Sequence, residues 1–310
     1  MTKLVFTQEQ QLDFTKRLQL LLLDSMVSSG HWGTAKFQGG TCLSLCYGSS
    51  RFSEDLDFLL GTDKGLKRML TAASARMTNV LRLSVPDAKL KFAARDDDPE
   101  SPSARNPRTF TLTASSEDWY RSIKIKVEFW VADPAAVAQY ASGVVSAKVL
   151  TRAVEGVPLR MALPAVMVPT ADLKEILVDK LHALACRDYL KHRDVFDLWW
   201  LSQQDVGDWR GELATRYPYH ALMYNDSPEI SKLRDVLREK TLVIAAMVGR
   251  PEFPIELKKW LGEDSSLAGQ AGADSIAGHV VEMLKLLFAD EVATPPAAST
   301  RAARTRRSTP

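Results

Sequence analysis

Asp55 and Asp57 stand one residue apart near the end of the stretch GGTCLSLCYGSSRFSEDLDF, residues 39–58. In a strand, alternate side chains share a face, so both carboxylates would emerge on one side, roughly 7 Å apart. Leu56 and Phe58 would then point the other way, into a core. Two like charges this close repel, and a divalent cation removes the repulsion. Magnesium, or manganese in its place, suits such a pair: it prefers hard oxygen ligands and takes one or two protein carboxylates, with phosphates completing its shell. Gly39, Gly40 and Thr41 lie upstream of the pair. Glycines let a backbone approach a ligand closely. A helix that begins here turns free N–H groups and the positive end of its dipole outward, which seats a phosphate. Arg51 and Ser53, just before the aspartates, are placed to touch the same phosphates.

Holding two cations and helping to activate a nucleophile calls for a third acid. The segment IKIKVEFW, residues 123–130, offers Glu128. Ile123, Ile125, Val127 and Phe129 form its apolar face; Lys124, Lys126, Glu128 and Trp130 form the other. Glu128 therefore either faces the aspartate pair across a sheet or belongs to a solvent-side ladder with the lysines. Each motif alone is common. Their order within 20 residues, glycine pair, short helix, then Asp-x-Asp in a strand, is what makes the pattern specific.

The elements that must position these groups are legible in outline. Phe14, Leu18, Leu21 and Leu22 recur at helical spacing within residues 8–29. AKFQGG reads as a short strand or loop, GTCLSLCY as a helix stopped by Gly48, and DLDFLL as a strand. A helix over 64–77 and strands over 88–94, 108–115 and 122–130 follow, with a charged, proline-bearing loop at 95–107. Pro158, Pro164 and Pro169 mark a seam with short strand-like pieces between them, and past about residue 165 the pattern turns mostly helical. Thr170 is expected to start a helix striped by Leu173, Ile176, Leu177, Leu181 and Leu184. A second begins near His192, and further helices are expected at 208–216, 228–248, 251–261 and 273–289.

The chain has 310 residues, 45% hydrophobic and 25% charged, with a net charge of +2, so it can bury a proper core and carries no strong basic field. Its longest apolar run, Leu18 to Leu23 with Gln19 inside it, is too short to span a bilayer. No secretory signal opens the chain, so a cytoplasmic protein without membrane attachment is expected. Cys42, Cys46 and Cys186 read as small buried hydrophobes rather than metal ligands. Residues 291–310, rich in Pro, Ala, Ser, Thr and then Arg, read as a disordered basic tail.

FQGGTCLSLCYGSSRFSEDLDF resembles the first motif of the AbiEii/AbiGii toxin group of nucleotidyltransferases, which includes the MenT toxins and belongs to the DNA polymerase β-like superfamily. Cys42 stands where alanine is usual. DLKEILVDKLHALACRDYLKHRDVFDLWWL, residues 172–201, is similar to the family's helical segment. The resemblance covers most of residues 35–203. It implies an α+β fold, with a nucleotidyltransferase-type mixed sheet and flanking helices followed by a mostly helical C-terminal region. The implied division is a catalytic domain at 1–165, a helical domain at 166–290 that completes the active site, and the tail. By position, Lys180 becomes a phosphate contact and Asp194 the acidic residue of the second motif, beside Arg187 and Arg193. Asp197 stays open between function and a plain salt bridge. Trp199 and Trp200 read as core rather than a base-stacking platform.

The implied chemistry is Mg²⁺-dependent transfer of a nucleoside monophosphate from an NTP to an acceptor hydroxyl, most simply a tRNA 3′ end. Asp55, Asp57 and Glu128 would hold the metal. Gly39, Gly40, Thr41, Arg51, Ser53 and Lys180 would hold the nucleotide, with Asp55, Asp57, Lys180 and Asp194 as the catalytic set. The implied setting is a toxin–antitoxin or phage-defence system with a cognate antitoxin protein. A protein or small-molecule acceptor, or an inactive member that only binds nucleotide or a partner, are the competing readings. A patch of Lys124, Lys126, Lys191, His192 and Arg193 could meet RNA phosphates.

Overall fold

The computed structural model describes residues 3–30, 32, 35–94, 107–149, 154–159, 163–224, 228–263 and 265–288. A long helix, α1 (Gln8–Ser28), opens the chain. Thr7 and Gln10 cap it reciprocally, the Thr7 hydroxyl accepting from the Gln10 N–H and the Gln10 side chain from the Thr7 N–H. Then come β1 (Lys36–Gln38), α2 (Gly39–Cys46), β2 (Leu56–Leu60) and α3 (Leu66–Arg82). They are followed by β3 (Lys89–Ala94), β4 (Arg108–Ser115), β5 (Ile123–Val131), α4 (Pro134–Gln139), β6 (Ser142–Ala147) and β7 (Val166–Ala171). The remainder is helical: α5 (Leu173–Cys186), α6 (His192–Ser202), α7 (Trp209–Met223), α8 (Ile230–Ala245), α9 (Glu252–Leu261) and α10 (Gln270–Lys285).

The strands form one mixed sheet of seven, in the order β3-β4-β5-β2-β1-β7-β6. The β2–β5 and β1–β7 pairs are parallel and the others antiparallel. Sequence alternation decides which face is dry. Leu56, Phe58, Ile125, Val127 and Phe129 are all buried, and Phe58 stacks on Phe129 with ring centroids 4.9 Å apart. Phe14, Leu18, Leu21 and Leu22 of α1 are buried in the same core. Asp57, Lys126, Glu128 and Trp130, at the alternate positions, are left for the other face.

Three expectations need correction. Thr170 does not start α5; it is the β7 residue paired with Phe37, and the helix is capped two residues later by Asp172, whose carboxylate accepts from the Glu175 N–H. The sheet therefore runs past residue 165, because β7 comes from residues 166–171. Asp55 precedes β2 instead of lying within it. Neither α4 nor β6 was foreseen: PAAVAQ is short, and SGVVSA carries a glycine with too little alternation to stand out. The loop at 95–107, apart from Pro107, and the tail at 291–310 lie outside the described residues.

Candidate active site

Pairing at the middle of the sheet aligns the polar positions. Gln38 of β1 sits opposite Asp57 of β2, Asp57 opposite Glu128 of β5, and Glu128 opposite Thr109 of β4. The Thr109 hydroxyl donates to Glu128 Oε1 at 3.3 Å. Asp55, Asp57 and Glu128 all line a cavity of about 360 Å³, together with Gly39, Gly40 and Lys180. Glu128 thus lines the cavity with the aspartates, and its pair with Lys126 lies in that cavity instead of in a solvent-side ladder.

The glycines have a steric reason beyond ligand approach. Gly39 has φ +78°, and a Cβ there would come within 2.5 Å of Asp57 Oδ2. A Cβ on Gly40 would lie 2.8 Å from Ser53 Oγ and against the Arg51 guanidinium. The glycine pair lets α2 begin directly against the side chains of Asp57, Arg51 and Ser53. Thr41 is buried, its hydroxyl donating to the backbone carbonyls of Asp55 and of Ser53, the latter at 3.3 Å. Its side chain fixes the loop that carries Asp55 instead of reaching into the cavity. Gln19 does the same from α1: its buried amide donates to the carbonyls of Ser53 at 2.9 Å and Glu54 at 3.0 Å. In the sequence Gln19 stands out only as an interruption of an apolar run. That interruption was the available signal, since a lone amide inside a buried stripe needs partners.

Charge at the site is unevenly balanced. Lys126 Nζ lies 3.0 Å from Asp55 Oδ2 and 3.1 Å from Glu128 Oε2, bridging two of the three carboxylates. Among the described residues no ion pair is made directly to Asp57. Burial and then the neighbouring Glu128 and Asp55 charges push its pKa up to about 7. Among the described residues no three His, Cys, Asp or Glu side chains form a ready-made metal cage. The donor chemistry nonetheless fits a hard divalent ion: all three groups are carboxylates, two already share the Lys126 cation, and the third is buried beside them.

Lys180, on α5, lies between two aspartates of α6, 3.1 Å from Asp194 Oδ1 and 2.6 Å from Asp197 Oδ2. Burial depresses its pKa, and the nearby Arg51 and Arg187 add to that, although Asp197 pulls the other way. Asp197 is fully buried and takes a two-pronged grip from Arg51, Nε and Nη2 each at 2.8 Å. Burial alone would raise its pKa, but Arg51 and Lys180 outweigh this and hold it at about 2. Asp197 therefore orients Lys180 and Arg51, and Arg51, itself buried at the cavity wall, has much of its fork committed there and to the Phe52 carbonyl. Asp194 pairs with Arg187 as well as Lys180 and lines the cavity.

Lys191 and Arg193 also line the cavity, with no ion-pair partner among the described residues; the Lys191 ammonium lies over the Tyr189 ring, 5.8 Å from its centroid. Burial, then repulsion from Arg187 and Arg193, lowers the Lys191 pKa to about 8. Lys124, expected in the same patch, is exposed on β5 and does not line the cavity. Trp199 and Trp200 pack against the core away from the cavity. Of the cysteines only Cys42 is fully buried; Cys186 is exposed and lines the cavity, its Sγ 3.3 Å from His182 Nε2, because α5 ends there.

The sequence over residues 21–261 matches the family model described as nucleotidyl transferase AbiEii toxin, type IV toxin–antitoxin system. The chain belongs to the AbiEii family. It is thereby a nucleotidyltransferase of a toxin–antitoxin system, with an NTP as substrate and an antitoxin as partner. Every cavity group described above falls inside the span that matches AbiEii. Among solved structures, JHP933 from Helicobacter pylori is similar at 19% identity and a TM-score of 0.51, over 92% of this chain and 97% of that one. A second H. pylori structure, of a candidate nucleotidyltransferase, has 18% identity and a TM-score of 0.49 over 88% and 96%. At such identities the likeness concerns the fold. No curated protein matches the chain. No described helix of this AbiEii member is long and apolar enough to cross a membrane.

Proposed function

We propose that the chain transfers a nucleoside monophosphate from an NTP to the 3′ hydroxyl of an RNA, a tRNA in the simplest case, with a divalent metal ion, Mg²⁺ or Mn²⁺, at Asp55, Asp57 and Glu128. One observation carries this reading: Asp57, its pKa pushed up to about 7 by burial and then by Glu128 and Asp55, shares a cavity with the start of α2 at Gly39 and Gly40 and with Lys180. When bound, the metal would lower the pKa of an attacking hydroxyl and offset charge on the transferred phosphoryl group. The protein's own part is positional and electrostatic. Backbone N–H groups at the start of α2 face the phosphates. The Lys180 ammonium, steered by Asp194 and Asp197, offsets negative charge as pyrophosphate departs. Thr41 and Gln19 keep the Asp55 loop rigid so that the carboxylates stay aligned with the substrate.

The RNA part is favoured by Lys191 and Arg193, two cations without an ion-pair partner among the described residues that line the cavity together with Arg187. Contacts with phosphates dominate RNA affinity, so a local cluster serves even though the net charge is only +2. The test incubates the full-length protein with each α-labelled NTP, Mg²⁺ and total tRNA. Label carried by tRNA, and lost when the tRNA 3′ end is oxidised with periodate, supports the reading. Label on protein or on a small molecule instead would replace the acceptor while keeping the chemistry.

A further inference from the structure

Two residues beyond Glu128, on the same face of β5, Trp130 lines the cavity. Tyr224, which ends α7, meets it edge-on with ring centroids 5.0 Å apart. On its other flank Tyr224 stacks with His182 of α5, at 4.8 Å and an interplanar angle of 25°. All three rings line the cavity that holds Asp57 and Lys180, and none has a part in the transfer chemistry derived above.

The rings are mounted firmly. The Tyr224 hydroxyl donates to Asp179 Oδ1 at 3.2 Å. The same carboxylate accepts from the Tyr140 hydroxyl at 2.5 Å and from His220 Nδ1 at 2.6 Å. His220 is fully buried, and its Nε2 lies 2.5 Å from Glu175 Oε2. Four elements, α4, β5, α5 and α7, thus converge to set a single aromatic wall. Burial drops the His182 pKa to about 4, so its ring is neutral at physiological pH and stacks without added charge.

We infer that Trp130, His182 and Tyr224 form the seat of the nucleobase of the incoming NTP. This rests on the nucleotidyl-transfer reading and adds to it the part of the substrate that phosphate and metal contacts leave unheld. A π-face beside a cluster of phosphate-seeking cations is the arrangement a nucleotide requires, and stacking accepts any base because every base has a π-face. The inference therefore assigns grip on the base more than choice among bases.

The test measures equilibrium binding to the full-length protein, with Mg²⁺, of α,β-methylene NTP analogues that cannot be transferred and of inorganic tripolyphosphate, which has no base. Wild type should prefer the analogues. Trp130→Leu and Tyr224→Leu should each weaken analogue binding by roughly 10-fold, the usual scale of one base–aromatic stack, and leave tripolyphosphate binding within about twofold. Tyr224→Phe keeps the ring and should stay near wild type. Equal wild-type affinity for analogue and tripolyphosphate overturns the inference. So does parallel loss of both ligands in the leucine variants, which marks a purely structural role. A rise in KM for RNA with analogue affinity unchanged assigns the wall to the acceptor and also overturns it. Failure of the underlying reading looks different: wild type then binds neither ligand, and both proposals fall.

Discussion

Asp57 is held in the fold at a cost, because its charge is desolvated and faces two other acids. Asp57→Asn keeps the shape and removes that charge. Transfer should fall by about 10³-fold or more, while the thermal midpoint stays level or rises; a gel assay and a melting curve check the two halves. Gly39→Ala offers a complementary case. The new Cβ meets Asp57 Oδ2 and forces an L residue into a left-handed conformation, which costs about 1–2 kcal/mol. Urea unfolding should show that loss, and transfer should fall at least about 100-fold although Gly39 has no side chain to contribute. At this scale the sequence was informative where chemistry is local. Asp55, Asp57 and the glycines form one continuous motif, whereas strand alternation left Glu128 open between the aspartates and a solvent-side ladder until the β2–β5 pairing placed it. Gln19 and Thr41 were harder to read, since their partners are backbone carbonyls brought near only by folding.

Between elements, the Arg51–Asp197–Lys180 cluster ties the loop before β2 to α5 and α6. Asp197→Ala should destabilise the protein by about 3–5 kcal/mol, since it leaves a buried guanidinium uncompensated. Arg51→Met combined with Asp197→Leu should recover most of that stability in urea, yet not transfer, because Lys180 has lost its guide. Recovery of transfer in the double variant would show that Asp197 serves only the fold. His220 gives a pH signature. Burial opposes its protonation, but Asp179 and Glu175 prevail and lift its pKa to about 9 against an ordinary 6.5. The folded state thus binds the proton more tightly than the unfolded chain. That stability is complete below pH 6.5 and lost as pH rises through about 9. Melting temperatures should decline across this window in wild type and less steeply in His220→Gln. Lys180 and Asp194 were placed by family resemblance, because a lysine and an aspartate on neighbouring helices otherwise read as an ordinary ion pair. Asp197 could not be resolved that way; its role depends on Arg51, 146 residues away in sequence. Trp130 was hidden for the same reason, since its partner Tyr224 comes from a distant helix.

Across the whole molecule, a nearly neutral chain brings Lys126, Lys180, Arg187, Lys191 and Arg193 to one cavity, where they face the carboxylates of Asp55, Asp57, Glu128, Asp179 and Asp194. If these cations serve an RNA acceptor, Lys191→Ala with Arg193→Ala should raise the KM for RNA with kcat little changed. It should also reduce the slope of log affinity against log salt by about 1–2. The broad architecture, a mixed sheet followed by helices, was readable from periodicity and family resemblance. The strand order was not, because it depends on which distant segments pair, as β1 does with β7. The central claim is that the carboxylates at 55 and 57 and the glycine-started helix form one working nucleotidyl-transfer site. The most direct measurement counts pyrophosphate released against labelled monophosphate transferred, in wild type and in Asp57→Asn proteins of matched melting temperature. Wild type should release one pyrophosphate per transfer, and the variant should give neither product. Wild-type yields of both products from Asp57→Asn would contradict it.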